Sequence, residues 1–220
     1  MVPESPLSAV IVRSLALLAT VSAALAPASA WATCTPQAYL VTSNADDGSS
    51  GTLRWAVGQA NACPGSEIDF SLSSQATITL STANSDPEIV ISAGMTINGP
   101  GATNLTVSGG NATRIFFINP GSGVAVNINN LTLANGYGLG GNGGGGAAGM
   151  GGAIFQESGT LNITDAVLNG NTAQGGGTSD NASNGPSNSG GGGFGGSSTS
   201  NSGASGGDLG GTGGAVGLLY

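Results

Sequence analysis

The chain has 220 residues and a formal net charge of −8, and only 6% of its residues are charged. Its three cationic side chains are all arginines, and it contains no histidine. Nucleic acids and anionic membrane surfaces both demand clustered cations, so this composition excludes them as partners.

Residues 1–32 have the three parts of a secretory signal peptide. A short leading segment ends at Arg13, an apolar run follows from Ser14 to Ala26, and small residues form A-x-A cleavage sites ending at Ala30 and Ala32. A stable bilayer span takes about 20 apolar residues, which is more than this run provides. The sequence therefore predicts export, with no integral membrane span after cleavage. A buried core helix, a membrane anchor and a lipoprotein attached at Cys34 are the less favoured alternatives.

The two cysteines, Cys34 and Cys63, form an isolated pair in a chain predicted to be exported. Such a pair is most simply a disulfide in an oxidising compartment. It would tie the start of the mature chain to a later point and restrict the unfolded state. Two free buried thiols are the alternative.

Residues 33–75 contain the only convincing helix pattern, from Gly51 to Asn61. Thr52 is a suitable N-cap, and Cys63 with the following Pro and Gly ends the pattern. Apolar side chains recur with a spacing that places them on one helix face. These residues are Leu53, Ala56, Val57 and Ala60. A helix this short needs an apolar partner surface to be stable.

Residues 76–173 repeat a theme of short runs in which apolar and polar residues alternate, which is typical of strands with one buried face. The predicted strands are Ala76–Leu80, Met95–Asn98, Asn104–Ser108, Val124–Ile128 and Leu131–Leu133. The theme recurs over residues 159–171. A period of about 20–30 residues built from several small strands predicts a solenoid in preference to a β-sandwich.

Most of the 42 glycines lie in the last third of the chain. The tract 174–212 consists mainly of Gly, Ser, Asn and Thr, and it has too little apolar surface to fold alone. We expect a disordered loop that leaves the solenoid between two turns. Residues 213–220 then begin a further turn of the solenoid, so we expect the chain to be a fragment.

Four stretches resemble a known class of exported proteins. Residues 41–61, with the following 64–65 and 67–70, resemble the N-terminal cap of right-handed parallel β-helix proteins of the CSLREA type. The sequence Gly151-Gly152-Ala153-Ile154 resembles the GGA-plus-aliphatic motif of polymorphic outer membrane proteins, and Gly213-Gly214-Ala215-Val216 is similar. The stretch from Leu168 to Asn171 resembles their FxxN motif, with Leu in place of Phe.

This resemblance implies an all-β fold, namely a right-handed parallel β-helix (solenoid) with a short N-terminal capping helix. It also implies a secreted, cell-surface or outer-membrane scaffold that forms part of an adhesin-like or autotransporter-like protein. Glycans or surface proteins of a host or the environment would be its partners. A carbohydrate-active β-helix enzyme and a purely structural spacer are the alternatives.

Motifs that bind cofactors or catalyse reactions in other proteins have only weak matches in this sequence. The G-x-G-x-x-G match at residues 138–143 lacks the strand and helix that it needs. Asp46 and Asp47 are better explained by an Asx turn than by a cation site. Glu157 and Asp165 have no visible partner, and we expect Arg114 to be a surface residue beside a core strand. The sequence therefore predicts no enzyme activity, no catalytic residue, no metal site and no cofactor.

Overall fold

The structure is a computed structural model, and it describes residues 34–142 and 147–177. The predicted signal peptide, most of the tract 174–212 and the second motif lie outside the described residues. That second motif comprises Gly213, Gly214, Ala215 and Val216.

The described residues form fourteen short strands and one helix. The helix α1 spans Leu53–Ala62. The strands are β1 Ala38–Val41, β2 Ser66–Phe70, β3 Ala76–Thr79, β4 Ile89–Ile91, β5 Met95–Asn98, β6 Leu105–Ser108, β7 Phe116–Ile118, β8 Ala125–Asn129, β9 Thr132–Ala134, β10 Tyr137–Leu139, β11 Ile154–Gln156, β12 Thr160–Thr164, β13 Val167–Asn169 and β14 Thr172–Gln174.

All strand pairs are parallel, and they form four sheets. Sheet 1 has the order β1-β2-β5-β8-β12, and sheet 2 has the order β13-β9-β6-β3. Sheet 3 is β11-β7-β4, and sheet 4 is β10-β14. From β2 onward the chain passes through sheets 1, 2 and 3 in that order and then returns to sheet 1. We call each such passage a coil. The prediction of an all-β protein with one short helix is confirmed.

Hydrogen bonds between side chains on neighbouring coils show the length of each coil. Asn98 bonds to Asp69 across 29 residues, Asn127 to Thr96 across 31, and Asn162 to Asn127 across 35. The later coils therefore exceed the expected period. The reason is the glycine-rich chain between β10 and β11, which lengthens the third coil without adding a strand to sheets 1–3.

Apolar side chains from successive coils stack in columns inside the sheets. Ile68, Ile97 and Ile128 are paired in register in sheet 1, and each is fully buried. Ile78, Val107 and Leu133 form the equivalent fully buried column in sheet 2. Burial of an aliphatic side chain of this size contributes about 1.5–3 kcal/mol. Within sheets 1 and 2, the buried side chains of successive strands are therefore aligned in columns.

Helix α1 covers one end of this interior. Thr52 is its N-cap, and the Oγ1 atom of Thr52 accepts a hydrogen bond from the backbone N–H of Trp55. The four apolar residues of the predicted face are the buried ones: Leu53, Ala56, Val57 and Ala60. The helix packs against β1, β2 and β4.

Two strands lie inside the segment 33–75, for which the sequence predicted a helix and no strand. Strands β1 and β2 pair with each other, and β2 pairs with β5, so sheet 1 begins well before residue 76. Their pairing partners are about a coil away along the chain, and a local pattern does not show them. The predicted disulfide between Cys34 and Cys63 is present, with 5.5 Å between the Cα atoms, and it joins the chain just before β1 to the end of α1.

Candidate functional site: a polar sheet face between two ends

The outward face of sheet 1 carries two columns of polar side chains. Residues two apart in a strand share a face, so each of β2, β5, β8 and β12 contributes one side chain to each column. The first column is Glu67, Thr96, Asn127 and Asn162. The second column is Asp69, Asn98, Asn129 and Thr164. We call these eight residues the polar ladder.

Hydrogen bonds link the ladder along each column. In the first column, the Nδ2 atom of Asn127 donates to Thr96 Oγ1 at 3.1 Å, and the Nδ2 atom of Asn162 donates to Asn127 Oδ1 at 2.8 Å. In the second column, Asn129 donates to Asn98 Oδ1 at 3.2 Å, and Asn98 donates to Asp69 Oδ1 at 3.3 Å. An amide group has two N–H donors and two acceptor lone pairs, so these bonds use only part of its capacity. The ladder can therefore bind a second polar partner.

The charge on the ladder lies at one end. Glu67 and Asp69 are its only ionisable members, and both belong to β2, next to the helix-covered end. The six residues of the later coils are amides and hydroxyls. These amides and hydroxyls provide hydrogen bonds to a neutral polar ligand.

Arg54 holds the helix-covered end together. Its guanidinium makes two hydrogen bonds to the carboxylate of Asp46, at 2.8 and 2.9 Å. It also donates to the backbone carbonyls of Asp86, Pro87 and Glu88 at 2.7–2.9 Å. The Asp46 side chain is 1% exposed and also accepts from the backbone N–H of Ser81. Arg54 therefore joins α1 to the segment that precedes β4.

Arg114 is buried, so the expectation that it is a surface residue is wrong. It is 5% exposed, forms an ion pair with Glu88, and donates to the backbone carbonyls of Gly151 and Met150. Its Cζ atom lies 5.4 Å from the centre of the Phe155 ring, which is a cation–π distance. Its partners come from the coils on either side, and residues adjacent in sequence do not reveal them.

The two adjacent aspartates, Asp46 and Asp47, have different roles. Asp47 forms the expected Asx turn, in which its Oδ1 atom accepts from the backbone N–H and the hydroxyl of Ser49. These hydrogen bonds, chiefly the one from the hydroxyl, hold the pKa of Asp47 below its ordinary value. Asp46 is instead the buried partner of Arg54. The sequence contained no signal for that role beyond the proximity of an acid and an arginine.

The two late acids do not meet. Glu157 accepts a hydrogen bond from the side-chain amide of Asn119. Asp165 lies in the corner between β12 and β13, where its backbone φ is +50°. Glu157 follows β11 and Asp165 follows β12, so the two carboxylates belong to different sheets.

The residues of the first GGA motif lie at the corner where the chain enters β11. Gly151 has a φ of +61°, a backbone conformation that favours glycine. A Cβ atom on Gly152 would lie 2.6 Å from the backbone of Thr172 in the next coil, so a side chain does not fit there. Ala153 is buried, and Ile154 is the first residue of β11.

The residues of the FxxN-like stretch differ in burial. Asn171 fixes a corner, because its Oδ1 atom accepts from the backbone N–H of Gly136 and its Nδ2 atom donates to the carbonyl of Leu133. Leu168 lies in β13 and is 54% exposed. It faces a cavity of about 540 Å³ at the end of the described chain, whose lining includes Leu161 and Ile163.

No family model, curated protein or solved structure matches the chain. Within residues 34–142 and 147–177, no three His, Cys, Asp or Glu side chains form a group that would hold a metal ion. The same residues contain no helix of the length and hydropathy that would cross a membrane.

Proposed function

We propose that this chain is an exported scaffold with the architecture of a right-handed parallel β-helix, which displays the polar ladder to a partner outside the cytoplasm. The observation that carries the proposal is the repeated passage of the chain through sheets 1, 2 and 3. Parallel neighbours need crossover connections, and such connections are right-handed in nearly all proteins. Stacked coils of this kind form an extended surface in which equivalent side chains are aligned.

Export is supported by covalent chemistry and by sequence. Residues 1–32 have the parts of a signal peptide, and Cys34, directly after the predicted cleavage region, is bonded to Cys63. Disulfides persist in oxidising compartments outside the cytoplasm. The similarity to surface proteins of the polymorphic outer membrane type agrees with this location, and with an adhesin-like role at the cell surface.

The chemistry of the ladder favours a neutral polar ligand, such as an uncharged glycan. Both arginines of the mature chain are engaged inside the fold, by Asp46 and Glu88 respectively. The ladder therefore has no nearby cation to attract an acidic ligand, whereas its amides and hydroxyls match the hydroxyl groups of a sugar chain.

Export is tested by expression in a bacterial host with a secretory pathway. We expect a mature N-terminus after Ala30 or Ala32 by mass spectrometry, and digestion of the protein by protease added to intact cells or to periplasm. The variant Leu18→Arg, which puts a charge into the apolar run, is the matched control and should remain in the cytosol with residues 1–32 attached. Retention of the unaltered chain in the cytosol would refute the proposal.

Display by the ladder is tested with an array of neutral and acidic glycans. We expect binding to neutral glycans that falls at least tenfold in the double variant Asn127→Ala, Asn129→Ala. The control Thr77→Ala, Thr106→Ala changes an outward column of sheet 2 and should bind normally. Equal glycan binding by the two double variants would show that the polar ladder is not the binding surface. Release of cleaved sugar, lost in Asp165→Asn, would favour the carbohydrate-active enzyme instead.

A further inference from the structure

Strand β4 is the terminal strand of sheet 3 at the helix-covered end, because it pairs with β7 and with no other described strand. The N–H of Ile89 and the C=O of Ile91 are bonded to the chain just before and just after β7. In a strand, the N–H and C=O of one residue point to the same side, and those of the next residue point to the other. The backbone groups of Glu88, Val90 and Ser92 therefore face away from β7, along an edge that could template another strand.

The side chain of Asn61 occupies this edge. Asn61 lies in the last turn of α1, and its Nδ2 atom donates to the carbonyl of Val90 at 2.8 Å. Its Oδ1 atom accepts from the backbone N–H of Ser92 at 2.9 Å. In a parallel ladder, one residue of the neighbouring strand makes the same two bonds, to a carbonyl and to the N–H two residues further on. The amide of Asn61 thus takes the place of one peptide group of a neighbouring strand.

Two further side chains cover the strand ends around this point. The guanidinium of Arg54 donates to the carbonyl of Glu88 at 2.9 Å, which continues the cover of sheet 3. In sheet 2, the Oδ2 atom of Asp46 accepts from the backbone N–H of Ser81, shortly after the terminal strand β3. At the helix-covered end, sheets 2 and 3 are therefore closed by side chains, whereas sheet 1 begins one strand earlier, with β1.

Helix α1 does not bury the edge of β4 by itself. An open groove of about 250 Å³ lies between the helix and this strand, and its lining includes Gly58, Asn61 and Val90. Val90 is 37% exposed, so the strand can be reached from the groove. The hydrogen bonds of Asn61, rather than burial beneath the helix, therefore occupy the backbone of β4.

We propose that Asn61 closes the edge of sheet 3 and thereby keeps a strand of a second copy of this chain from pairing with β4. The partner follows from the chemistry of the edge, because backbone N–H and C=O groups pair with any extended strand, and each copy of the chain carries many such strands. This surface is separate from the polar ladder, and the inference depends neither on export nor on glycan binding.

Sedimentation velocity tests the effect on association. Asn61→Leu keeps a side chain of similar size that can make neither hydrogen bond, so we expect a several-fold larger dimer fraction than in the unaltered protein at the same concentration. Asn104→Leu is the matched control, because the Asn104 side chain donates to the carbonyl of Pro100 in the turn before β6, a strand with neighbours on both sides. Equal dimer fractions in the two variants would overturn the proposal.

Hydrogen exchange in dilute protein tests the two bonds. In Asn61→Leu, the N–H of Ser92 should exchange at least tenfold faster than in the unaltered protein, whereas the N–H of Ile89, bonded to Ile115, should exchange as before. Asn61→Asp keeps an acceptor for Ser92, so that N–H should stay protected, and this variant decides the matter if Asn61→Leu does not fold. Loss of protection in Asn61→Asp, or unchanged exchange in a folded Asn61→Leu, would refute the role of Asn61.

The same measurement at high concentration locates the contact between copies. Where Asn61→Leu dimerises, the N–H of Val90 should exchange several-fold more slowly than in the dilute protein, because it faces the edge with which the second copy would pair. Dimers in which the exchange of Val90 is unchanged would show that the second copy binds elsewhere, and the proposal would then be wrong.

Discussion

The two ends of the described fold differ in how far their apolar side chains are buried. At the end where the chain begins, α1 lies over the interior, and Leu53 and Ala56 on that helix are fully buried. Arg54 and the disulfide then bind the helix to the strands around it. At the other end, Ile163 and Leu168 stay exposed although their neighbours one coil earlier are fully buried. The comparison shows that an apolar residue of this fold is buried by the next layer rather than by its own coil.

The largest expected effect comes from breaking the Arg54 clamp. Arg54→Ala leaves the Asp46 carboxylate buried without its charged partner, a loss of about 3–5 kcal/mol in the free energy of unfolding. Urea denaturation of the mature protein measures it. The control Asp165→Asn changes an exposed acid at the open end and should change stability by less than about 0.5 kcal/mol. Similar losses in both variants would mean that Arg54 does not hold the helix-covered end.

Substitution of one leucine at each end compares how much a side chain there contributes to the free energy of unfolding. Leu53→Ala should cost about 2–5 kcal/mol, because it opens a cavity in a buried layer. Leu168→Ala removes the same atoms from a side chain that is 54% exposed, and it should cost less than about 1 kcal/mol. Thermal and urea unfolding of both variants give the two values. Equal losses in the two variants would contradict the difference in burial between Leu53 and Leu168.

The disulfide should stabilise the helix-covered end alone. Replacement of both cysteines by serine should cost about 2–4 kcal/mol, because the open chain gains conformational entropy when unfolded. Native-state hydrogen exchange should then rise first in β1 and α1, whereas β12 and β13 should exchange as before. A uniform rise across all strands would show that the bond stabilises the whole fold rather than this end.

The smallest expected effect is a pH dependence at the Asx turn before α1. Hydrogen bonds from Ser49 lower the pKa of Asp47 from its ordinary value of 3.8. A folded-state pKa below the unfolded one contributes stability that is present above the unfolded value and is lost as the pH falls through the folded value. The Tm of Asp47→Asn should therefore lie slightly below that of the unaltered chain at pH 7, and the difference should shrink below pH 3.8. A difference that grows in acid would contradict this assignment.

The parts of the fold that the sequence predicted are those with a local signal. The N-cap at Thr52 and the apolar spacing from Leu53 to Ala60 lie within one helix, so the pattern was sufficient to predict α1. The alternation in Ala76–Leu80 and Met95–Asn98 similarly marked β3 and β5. Strands β1 and β2 were missed although they are no shorter than β3 and β5. They pair with each other across 29 residues, a separation that local patterns do not encode.

In the polar ladder, too, some features have a local sequence signal and others depend on distant partners. The sequence shows that asparagines and threonines alternate with apolar residues in β5 and β8, which places them on the outer face. It does not show that Asn127 lies between Thr96 and Asn162, because that alignment depends on the register of three strands. Arg114 is the sharper case, since its burial follows from Glu88 in the coil before it and from Met150 and Gly151 in the coil after it.

The sequence by itself determined the class of the protein: an all-β chain with one cysteine pair, one short helix and many short strands. These features depend on composition and on periods of two and 3.6 residues, which neighbouring residues set. The tertiary structure decided which strands pair, that Arg54 and Arg114 form ion pairs, and that α1 covers one end of the described residues. Those outcomes depend on contacts between coils about 30 residues apart, and only the folded chain brings such residues together.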